Sequence, residues 1–318
     1  MLKIKNLTVN LCSQNDPFYI LRNISFNINR GEILGFAGES GSGKSVLAKT
    51  ILGLNKPPIK TTSGEIIYNG TPLKSNADFK AVRGKKISMI FQTPTVSLNP
   101  VMTIGYQLVE TIRLHNPNIS KQTALKLASE LLEQVEIDRP SERLSAYPHQ
   151  LSGGMNQRVM IAIALASNPE LLIADEPTTA LDVTVQAQII KLLLKLNKER
   201  HFTMMFISHD LSLLMSICSR IAVLYCGELM EIATKDNLIK NLPYHPYTEA
   251  LKNCIPKIGK HNTLTTIKGS IGKNNHTADN SCIFAQRCSK AKTLCTEKKP
   301  IFNGKYACHF PLLKQEVN

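Results

Sequence analysis

Tryptophan is absent from this 318-residue chain, and aromatic residues make up only 6% of it. Glycine and proline number 17 and 16, which is near average usage and excludes a collagen-like or low-complexity protein. With 43% hydrophobic and 19% charged residues, the chain is long enough and apolar enough for one large core or for two domains. The composition therefore indicates a globular protein.

Long hydrophobic runs are also missing. The longest, around Val159 to Ser167, is about half of the roughly 20 residues that a membrane-spanning helix needs. Residues 1–6 (MLKIKN) lack the apolar stretch of a secretory signal. We therefore expect a chain that does not cross a membrane by itself and that stays in a reducing cytosol, where disulfides are not expected among its eight cysteines.

Acidic residues are scarce at the C-terminal end. Residues 251–318 contain twelve Lys and Arg but three acids, and so carry +9 of the formal net charge of +14. Lysine-rich linkers are commonly just solvated, and an anionic membrane face is the functional alternative for such a tail. Nucleic-acid binding is not expected, because aromatic residues are not interleaved with the basic ones.

Apolar runs alternate with turn signals along the first 250 residues. Short runs at Glu32 to Ala37, Lys86 to Gln92 and Leu171 to Ala174 predict buried strands. From Thr103 to Ser167 the spacing approaches 3.6 residues, which predicts a mostly helical insert. Its apolar stripe comprises Leu125, Ala128, Leu131, Leu132 and Val135. The pattern predicts an α/β fold with a helical insertion.

A phosphate-binding loop follows the first of these buried strands and precedes an apolar helix from Ser45 to Leu54. Its eight residues fit G-x-x-x-x-G-K-[ST] and are Gly38, Glu39, Ser40, Gly41, Ser42, Gly43, Lys44 and Ser45. Glycines let backbone N–H groups wrap phosphates, Lys44 meets the β/γ charge, and the Ser45 hydroxyl is a Mg²⁺ ligand. The motif predicts a P-loop NTPase that binds ATP and Mg²⁺.

Two carboxylates, Asp175 and Glu176, end the apolar strand that begins at Leu171. Asp175 is a candidate ligand for Mg²⁺, and Glu176 is a candidate general base for the attacking water. On their own, paired acids after a strand are weak evidence for a catalytic site. Their occurrence together with a phosphate-binding loop strengthens that interpretation.

Residues 151–157 (LSGGMNQ) resemble the signature sequence of ABC-type ATPases. The resemblance implies an ABC-type nucleotide-binding domain with a helical subdomain, and an ATP site shared with the phosphate loop of a partner subunit. The cofactor-binding residues that it implies here are Ser152, Gly153, Gly154 and Gln157. A hydroxyl and N–H groups at a helix start suit a γ-phosphate.

The same resemblance assigns roles to three further residues. Gln92, at the end of KISMIFQ, stands at the Q-loop position that contacts Mg²⁺ or water and couples to membrane subunits. Asp182 matches the D-loop, and His209 ends a strand where the family has its switch histidine. Glu176, His209 and Gln92 are thus the implied catalytic residues. The sequence departs from the family at Leu11, which cannot stack on adenine as an aromatic would; Phe18 or Tyr19 are the alternatives, with strand packing equally open for both.

The sequence is identified more narrowly as similar to the ATPase subunits of bacterial oligopeptide/dipeptide importers. GESGSGKS, the YPHQ lead into the signature, ADEPTTALD and residues 244–251 (YHPYTEAL) carry this similarity. It implies ATP hydrolysis that powers peptide uptake, antimicrobial peptides included. A nickel or metallophore importer of the same family is the alternative function. A soluble ABC protein acting on ribosomes or DNA is the alternative from another class.

The resemblance also implies an assembly. Its members are a second ABC ATPase subunit, related or identical, two membrane-spanning permease subunits, and indirectly an extracytoplasmic peptide-binding protein. The chain itself is then expected to be peripheral, at the cytoplasmic face of the inner membrane.

Four cysteines lie close together near the C-terminus: Cys282, Cys288, Cys295 and Cys308. In a cytosolic chain they suggest a metal centre, and their gaps, wider than those of zinc fingers, favour an iron–sulfur cluster over zinc, with free thiols as a third reading. Some similar subunits are thought to hold a 4Fe-4S cluster here. The remaining cysteines, Cys12, Cys218, Cys226 and Cys254, are interpreted as packing residues.

The chain is predicted to contain an ABC ATPase domain over residues 1–256, with the helical subdomain at about 93–167. A flexible linker is predicted over 257–281, where Gly, Asn, Lys, Thr and Ser dominate. A small cysteine-containing extension of the importer type is predicted over 282–318, here called the C-terminal module.

Overall fold

The computed structural model describes residues 1–12, 18–240, 244–255, 267, 269 and 280–312, so the predicted linker lies almost wholly outside the described residues. The strands are β1 (Leu2–Leu11), β2 (Phe18–Ile28), β3 (Ile33–Ala37), β4 (Ile59–Tyr68), β5 (Thr71–Pro72), β6 (Ile87–Ile90), β7 (Leu171–Asp175), β8 (Thr203–Ile207), β9 (Arg220–Tyr225) and β10 (Glu228–Thr234). The helices are α1 (Lys44–Ile51), α2 (Asn76–Val82), α3 (Pro94–Ser97), α4 (Ile104–His115), α5 (Lys121–Gln134), α6 (Pro140–Arg143), α7 (Gly153–Leu165), α8 (Val183–Arg200), α9 (Leu211–Ile217), α10 (Lys235–Ile239), α11 (Pro246–Asn253) and α12 (Thr293–Glu297). The chain forms two compact units, unit 1 (Met1–Ser75 and Phe206–Asn318) and unit 2 (Asn76–Met205).

Unit 1 contains an antiparallel sheet in the order β2-β1-β4-β5. At the start of β1, Leu2 and Ile4 are buried and Lys3 and Lys5 are exposed, the alternation expected of a strand with one face on a core. Strand β4 pairs antiparallel with β1 along its length, from Ile59 opposite Leu11 to Tyr68 opposite Leu2.

Unit 1 also contains a mixed sheet in which β9 runs parallel to β3 and antiparallel to β10. Strands β9 and β10 therefore form a hairpin over residues 220–234. A Cβ on Gly35, inside β3, would lie 2.8 Å from the Cys218 sulfur that follows α9. Glycine at this position lets α9 pack closely against the strand.

The C-terminal module adds backbone pairing to β10. Ile232 N–H donates to the Lys305 carbonyl at 2.8 Å, and Ala307 N–H donates to the Met230 carbonyl at 2.8 Å. These hydrogen bonds satisfy backbone groups on the edge of β10 that would otherwise be open to pairing with another chain. They also attach the module to unit 1.

Unit 2 pairs β6 and β7 in parallel, and every residue of both strands is buried. Helices α4, α5 and α7 fill much of the predicted helical insert. The predicted stripe of α5 is wrong at Leu125, which is 38% exposed, while Ala124 is buried. Counting back by four and three from Val135 through Leu131 and Ala128 leads to Ala124, so the helical period itself was right.

The remaining expectations on packing have mixed outcomes. Cys218 and Cys226 are buried, as predicted, but Cys12 is exposed, so its assignment to packing is wrong. Cys254 is half-buried. Of the helices within the described ranges, none combines the length and apolarity of a membrane span.

Candidate functional site

The phosphate loop joins β3 to α1 in unit 1, and two of its glycines are sterically required. Gly38 has φ +147°, and a Cβ there would lie 2.2 Å from the Leu224 carbonyl oxygen. Gly43 has φ +100°, and a Cβ there would lie 2.7 Å from Leu21 Cδ2. The loop can therefore make this turn only with glycine at both positions.

Lys44 begins α1 and folds its side chain over the loop. Its Nζ donates to the carbonyls of Gly38 at 2.8 Å and Glu39 at 3.0 Å, and to Ser42 Oγ at 3.2 Å. The Lys44 side chain is thereby placed within the loop, where its charge can meet an incoming phosphate. Ser45 follows as the second residue of α1 and is half-buried, whereas Ser40 and Gly41 are exposed.

Glu39 is held by residues to which sequence reasoning gave no role. Its N–H donates to Tyr247 Oη at 3.1 Å, and both its carboxylate oxygens accept from the Arg287 guanidinium, at 2.9 and 3.0 Å. A signal for both was present: Tyr247 lies in the YHPYTEAL stretch and Arg287 stands beside Cys288, within the segments that carry the family resemblance.

His209 lies two residues past β8 and is exposed. It lines a cavity of about 380 Å³ in unit 1 that Gly38 of the phosphate loop also lines. Its neighbour Asp210 caps α9, accepting from Ser212 N at 2.8 Å and Leu213 N at 3.1 Å. The structure thus places the predicted switch histidine and the phosphate loop on one pocket.

Unit 2 brings Gln92 and Glu176 together. Gln92 Nε2 donates to Glu176 Oε2 at 3.0 Å, and the Thr179 hydroxyl donates to the same oxygen at 2.9 Å. Gln92 lies two residues past the end of β6, not within the strand as the KISMIFQ run suggested. Glu176 has φ +45°, an uncommon backbone conformation of the kind that functional sites hold under strain. Asp175, the last residue of β7, is 3% exposed.

The start of α7 carries the predicted signature residues. Ser152 caps the helix, its Oγ accepting from Met155 N at 3.3 Å, and both Ser152 and Gly153 are exposed. A Cβ on Gly154 would lie 2.8 Å from Val185 Cγ1, so this glycine lets α7 and α8 approach. The exposed helix start offers a hydroxyl and N–H groups suited to an anion.

Asp182 and Gln157, two residues predicted to contact the nucleotide, have other surroundings in the structure. Asp182 caps α8, its Oδ1 accepting from Val185 N at 2.9 Å. Gln157 is 1% exposed, so its side chain points into unit 2, which does not support its predicted contact with ATP.

The two aromatic candidates for stacking on adenine, Phe18 and Tyr19, both lie in β2. Leu11 pairs with Phe18 across β1 and β2. The Tyr19 ring lies under the Arg22 guanidinium, 4.1 Å from its carbon, a cation–π contact that covers one face.

The four clustered cysteines line one cavity, together with His245, Phe284 and other residues. Burial raises the pKa of the Cys282 thiol to about 12 and also raises the pKa of Cys288 and Cys308. The free space is about 10 Å³, about enough for one water. As arranged in the part of the chain that the structure describes, no group of three or more His, Cys, Asp or Glu could hold a metal ion.

An apolar groove of about 930 Å³ lies on unit 2. Its lining includes Tyr106, Leu114 and Leu125, which are 55%, 74% and 38% exposed. Exposed apolar side chains gathered in one groove are typical of surfaces that contact another molecule. The predicted stripe concealed this feature, because it counted Leu125 as core.

The comparisons with known proteins bear on both ends of the chain. Residues 21–179 match the family model described as ABC transporter, and residues 230–295 match that of the oligopeptide/dipeptide transporter C-terminal region. The dipeptide transport ATP-binding protein DppD of Escherichia coli (strain K12) is 40% identical over 98% of this chain and 97% of its own. The chain belongs to the ABC transporter ATP-binding family.

Other relatives agree with this assignment. The oligopeptide transport ATP-binding protein AppD of Bacillus subtilis (strain 168) is 42% identical over 94% of this ABC protein and 92% of its own length. A solved dimeric structure of the ATP-binding cassette MJ0796, bound to ADP and Pi in a post-hydrolysis state, aligns with TM-score 0.66 and 32% identity. That alignment covers 74% of this chain and 99% of the cassette.

These findings confirm the family resemblance predicted from the sequence, the ABC cassette fold with mixed α/β sheets, and the prediction that the protein is an ATPase. The cysteine-containing extension and the roles of individual site residues remain predictions.

Proposed function

We propose that this ABC ATPase powers the uptake of peptides across the cytoplasmic membrane. The observation that carries the proposal is the similarity, over nearly the whole chain, to proteins named for dipeptide and oligopeptide transport. The match to an oligopeptide/dipeptide transporter C-terminal region supports the same cargo class. These relatives favour peptide over nickel or metallophore import, and favour a transporter over a soluble protein acting on ribosomes or DNA.

Different residues of the phosphate loop and of the two strand ends are proposed to carry out phosphate binding, Mg²⁺ binding and proton transfer. Lys44 and N–H groups of the phosphate loop, other than that of Glu39, which donates to Tyr247 Oη, hold the phosphates of ATP. The oxygens of Ser45 and of Asp175 are the proposed ligands for Mg²⁺, with Gln92 a further candidate. Glu176 takes a proton from the attacking water, and His209 senses the γ-phosphate. Bound Mg²⁺ supplies charge to the transferring phosphoryl group.

We infer that each ATP site is completed by a second ATPase subunit. The start of α7 is exposed at Ser152 and Gly153, which supports this, because an exposed helix start can present its N–H groups to a phosphate held by another subunit. The isolated chain should then hydrolyse ATP slowly, and the cognate complex should raise the rate. Full activity in a monomeric sample would contradict a shared site.

The permease subunits are proposed to dock on unit 2, within the Gln92 to Gln150 region. The apolar groove that contains Tyr106 and Leu114 falls inside that range and is of a size for a helix. The chain would then be peripheral at the cytoplasmic face of the inner membrane, with a peptide-binding protein acting from the other side. Leu114→Asp should weaken complex formation while ATP binding persists.

Transport by the reconstituted complex tests the proposal directly. Proteoliposomes holding the ATPase, its permeases and the binding protein should accumulate a labelled dipeptide in the presence of ATP. Lys44→Ala should abolish uptake. Accumulation of Ni²⁺ instead of peptide would favour the metal importer, and co-purification with ribosomes rather than permeases would favour the soluble class.

We further propose that the four-cysteine cavity binds metal, with an iron–sulfur cluster preferred to zinc. Four thiols on one cavity are a suitable donor set, but a four-iron cluster needs more than the free 10 Å³, so the thiols must move apart. Protein purified without oxygen should be brown and carry about four iron atoms, which Cys295→Ser should remove. Absence of both iron and zinc, with all four thiols alkylated, would leave a thiol-rich module without metal.

The domain boundaries also stay a proposal: an ATPase domain to residue 256, a helical subdomain at about 93–167, a linker over 257–281 and the C-terminal module from 282. Limited proteolysis that cuts within 257–281 and leaves the ATPase domain intact would support them.

A further inference from the structure

The C-terminal module contacts the phosphate loop through one ion pair. Arg287 Nη1 donates to Glu39 Oε1 at 2.9 Å, and Nη2 donates to Oε2 at 3.0 Å. The side chains are 7% and 27% exposed, respectively. Two parallel charge-assisted bonds fix both the distance and the orientation of the carboxylate, and burial limits screening by solvent.

The arginine is itself anchored in unit 1. Nη1 also donates to Tyr225 Oη at 3.3 Å, and Nη2 to the Gly269 carbonyl at 3.2 Å. Three residues earlier, the Phe284 ring packs on the rings of Tyr225 and Tyr247, with centroids 5.2 and 5.0 Å apart. Arg287 is therefore held in place by a buried aromatic cluster that spans the module and the ATPase domain.

The same cluster reaches the backbone of the loop. Tyr247 Oη accepts from Glu39 N at 3.1 Å. The Glu39 carbonyl accepts from Lys44 Nζ at 3.0 Å, so Glu39 contacts the residue that meets the phosphates. Backbone and side chain of Glu39 are both fixed by residues far along the chain.

The ion pair between Arg287 and Glu39 changes the charge that ATP meets at the phosphate loop. A carboxylate in a phosphate-binding loop repels the negative charges of ATP unless a cation compensates it. Arg287 supplies that cation and directs the carboxylate towards the module. The Glu39–Arg287 pair has no net charge. Without Arg287, the negative charge of Glu39 would weaken nucleotide binding.

We propose that Arg287 is a positioning residue for the phosphate loop: it holds and neutralises Glu39, so that docking of the C-terminal module sets the affinity for ATP. This inference rests on the proposed phosphate-binding role of residues 38–45. Loosening of the module would lower ATP affinity without altering any residue that touches the nucleotide.

The test is a double-mutant cycle on the full chain, with the Kd for ATP measured by displacement of a fluorescent ATP analogue. Arg287→Met should raise the Kd about tenfold, because it leaves the Glu39 charge uncompensated. Adding Glu39→Gln should bring the Kd back to within about threefold of wild type, since the repelling charge is gone. Lys298→Met removes one positive charge from an exposed side chain of the same module and should leave the Kd unchanged.

Kinetics of the assembled transporter separate positioning from a general structural role. Arg287→Met should raise the KM for ATP by the same factor as the Kd and change kcat less than about twofold. A structural defect would lower kcat and thermal stability together, and Glu39→Gln would not repair it. Arg287→Lys keeps the charge but loses the fork, and should raise the Kd about threefold. It provides the test should the methionine variant not fold.

Two results would overturn the inference: a Kd within twofold of wild type for both Arg287 variants, or failure of Glu39→Gln to rescue Arg287→Met. Lys44→Ala distinguishes this from failure of the proposed function. If Lys44→Ala also leaves the Kd unchanged, the phosphate-binding role of the loop is itself wrong.

Discussion

Gln92 donates a 3.0 Å hydrogen bond to Glu176 across 84 residues of sequence. Gln92 follows β6 and Glu176 follows β7, and these strands are parallel neighbours. Because the carboxyl ends of parallel strands lie at one edge of a sheet, their following residues meet there. The contact holds the carboxylate of the proposed general base in a defined orientation.

Replacing the Glu176 carboxylate by an amide should leave ATP binding intact and slow hydrolysis. We expect Glu176→Gln to reduce ATPase turnover in the assembled transporter by ~10² or more, because a general base contributes about 10²–10⁴. The matched control is Glu170→Gln, which removes a carboxylate that pairs with Lys86 just before β7. A Glu176→Gln rate within threefold of wild type would refute the assignment.

Ser152 and Ser120 allow capping to be separated from catalysis. Each caps a helix of unit 2, Ser152 accepting from Met155 N at 3.3 Å and Ser120 from Thr123 N at 3.1 Å. Changing either to Ala should cost about 1 kcal/mol of stability in urea unfolding. Only Ser152→Ala should also lower ATPase activity in the complex; equal activities would argue against a signature role for Ser152.

Two loop glycines should respond differently to alanine. A Cβ on Gly38 would lie 2.2 Å from a backbone oxygen, whereas a Cβ on Gly41, which is also at positive φ, would meet nothing within 4 Å. Gly41→Ala should cost about 1–2 kcal/mol for the left-handed backbone alone. Gly38→Ala should cost ~3 kcal/mol or more, because backbone must move. Thermal unfolding of both variants checks the order, and equal losses would contradict the described loop.

His245 should make stability depend on pH. It is 1% exposed, its Nδ1 accepts from Tyr247 N at 3.0 Å, and burial lowers its pKa from 6.5 to about 4. Between these values the unfolded chain binds a proton that the folded chain does not. The His245 contribution is therefore complete above pH 6.5 and is lost as pH falls towards 4, about 2 kcal/mol of it by pH 5.

A neighbouring group acts in the opposite sense. Burial raises the pKa of Glu231, which accepts from His245 N at 2.9 Å, so its contribution is lost as pH rises. The difference between wild type and His245→Asn isolates the histidine, since Asn keeps the helix cap and does not titrate. Urea unfolding at pH 7.5 and 5.0 should show that difference shrinking at pH 5.0; a constant difference would show that His245 does not titrate as described.

Much of the site could be read from the sequence because its motifs are local. The phosphate loop is a run of eight consecutive residues in which Gly38 and Gly43 adopt positive φ, and the strand before it is buried throughout its last four residues. The acidic pair at Asp175 and Glu176 directly ends a strand whose composition is apolar. Local spacing and local chemistry were sufficient for these predictions.

Other features depended on contacts that no local pattern encodes. Leu125 fits the apolar stripe of α5, yet it is exposed in a groove, because the neighbouring helices decide which residues of a stripe are covered. Gln157 belongs to the signature run but is buried, since α7 is packed on nearly all sides.

The contact between Arg287 and Glu39 is the clearest case. A phosphate loop that contains a glutamate and a cysteine-rich module that contains an arginine can both be read from the sequence, because each motif is short and contiguous. That these two side chains meet across 248 residues is a property of the folded chain. An ion pair over such a separation forms only when packing brings two distant segments together. Here the packing is that of the Tyr225, Tyr247 and Phe284 rings, which the spacing of residues in the sequence does not predict.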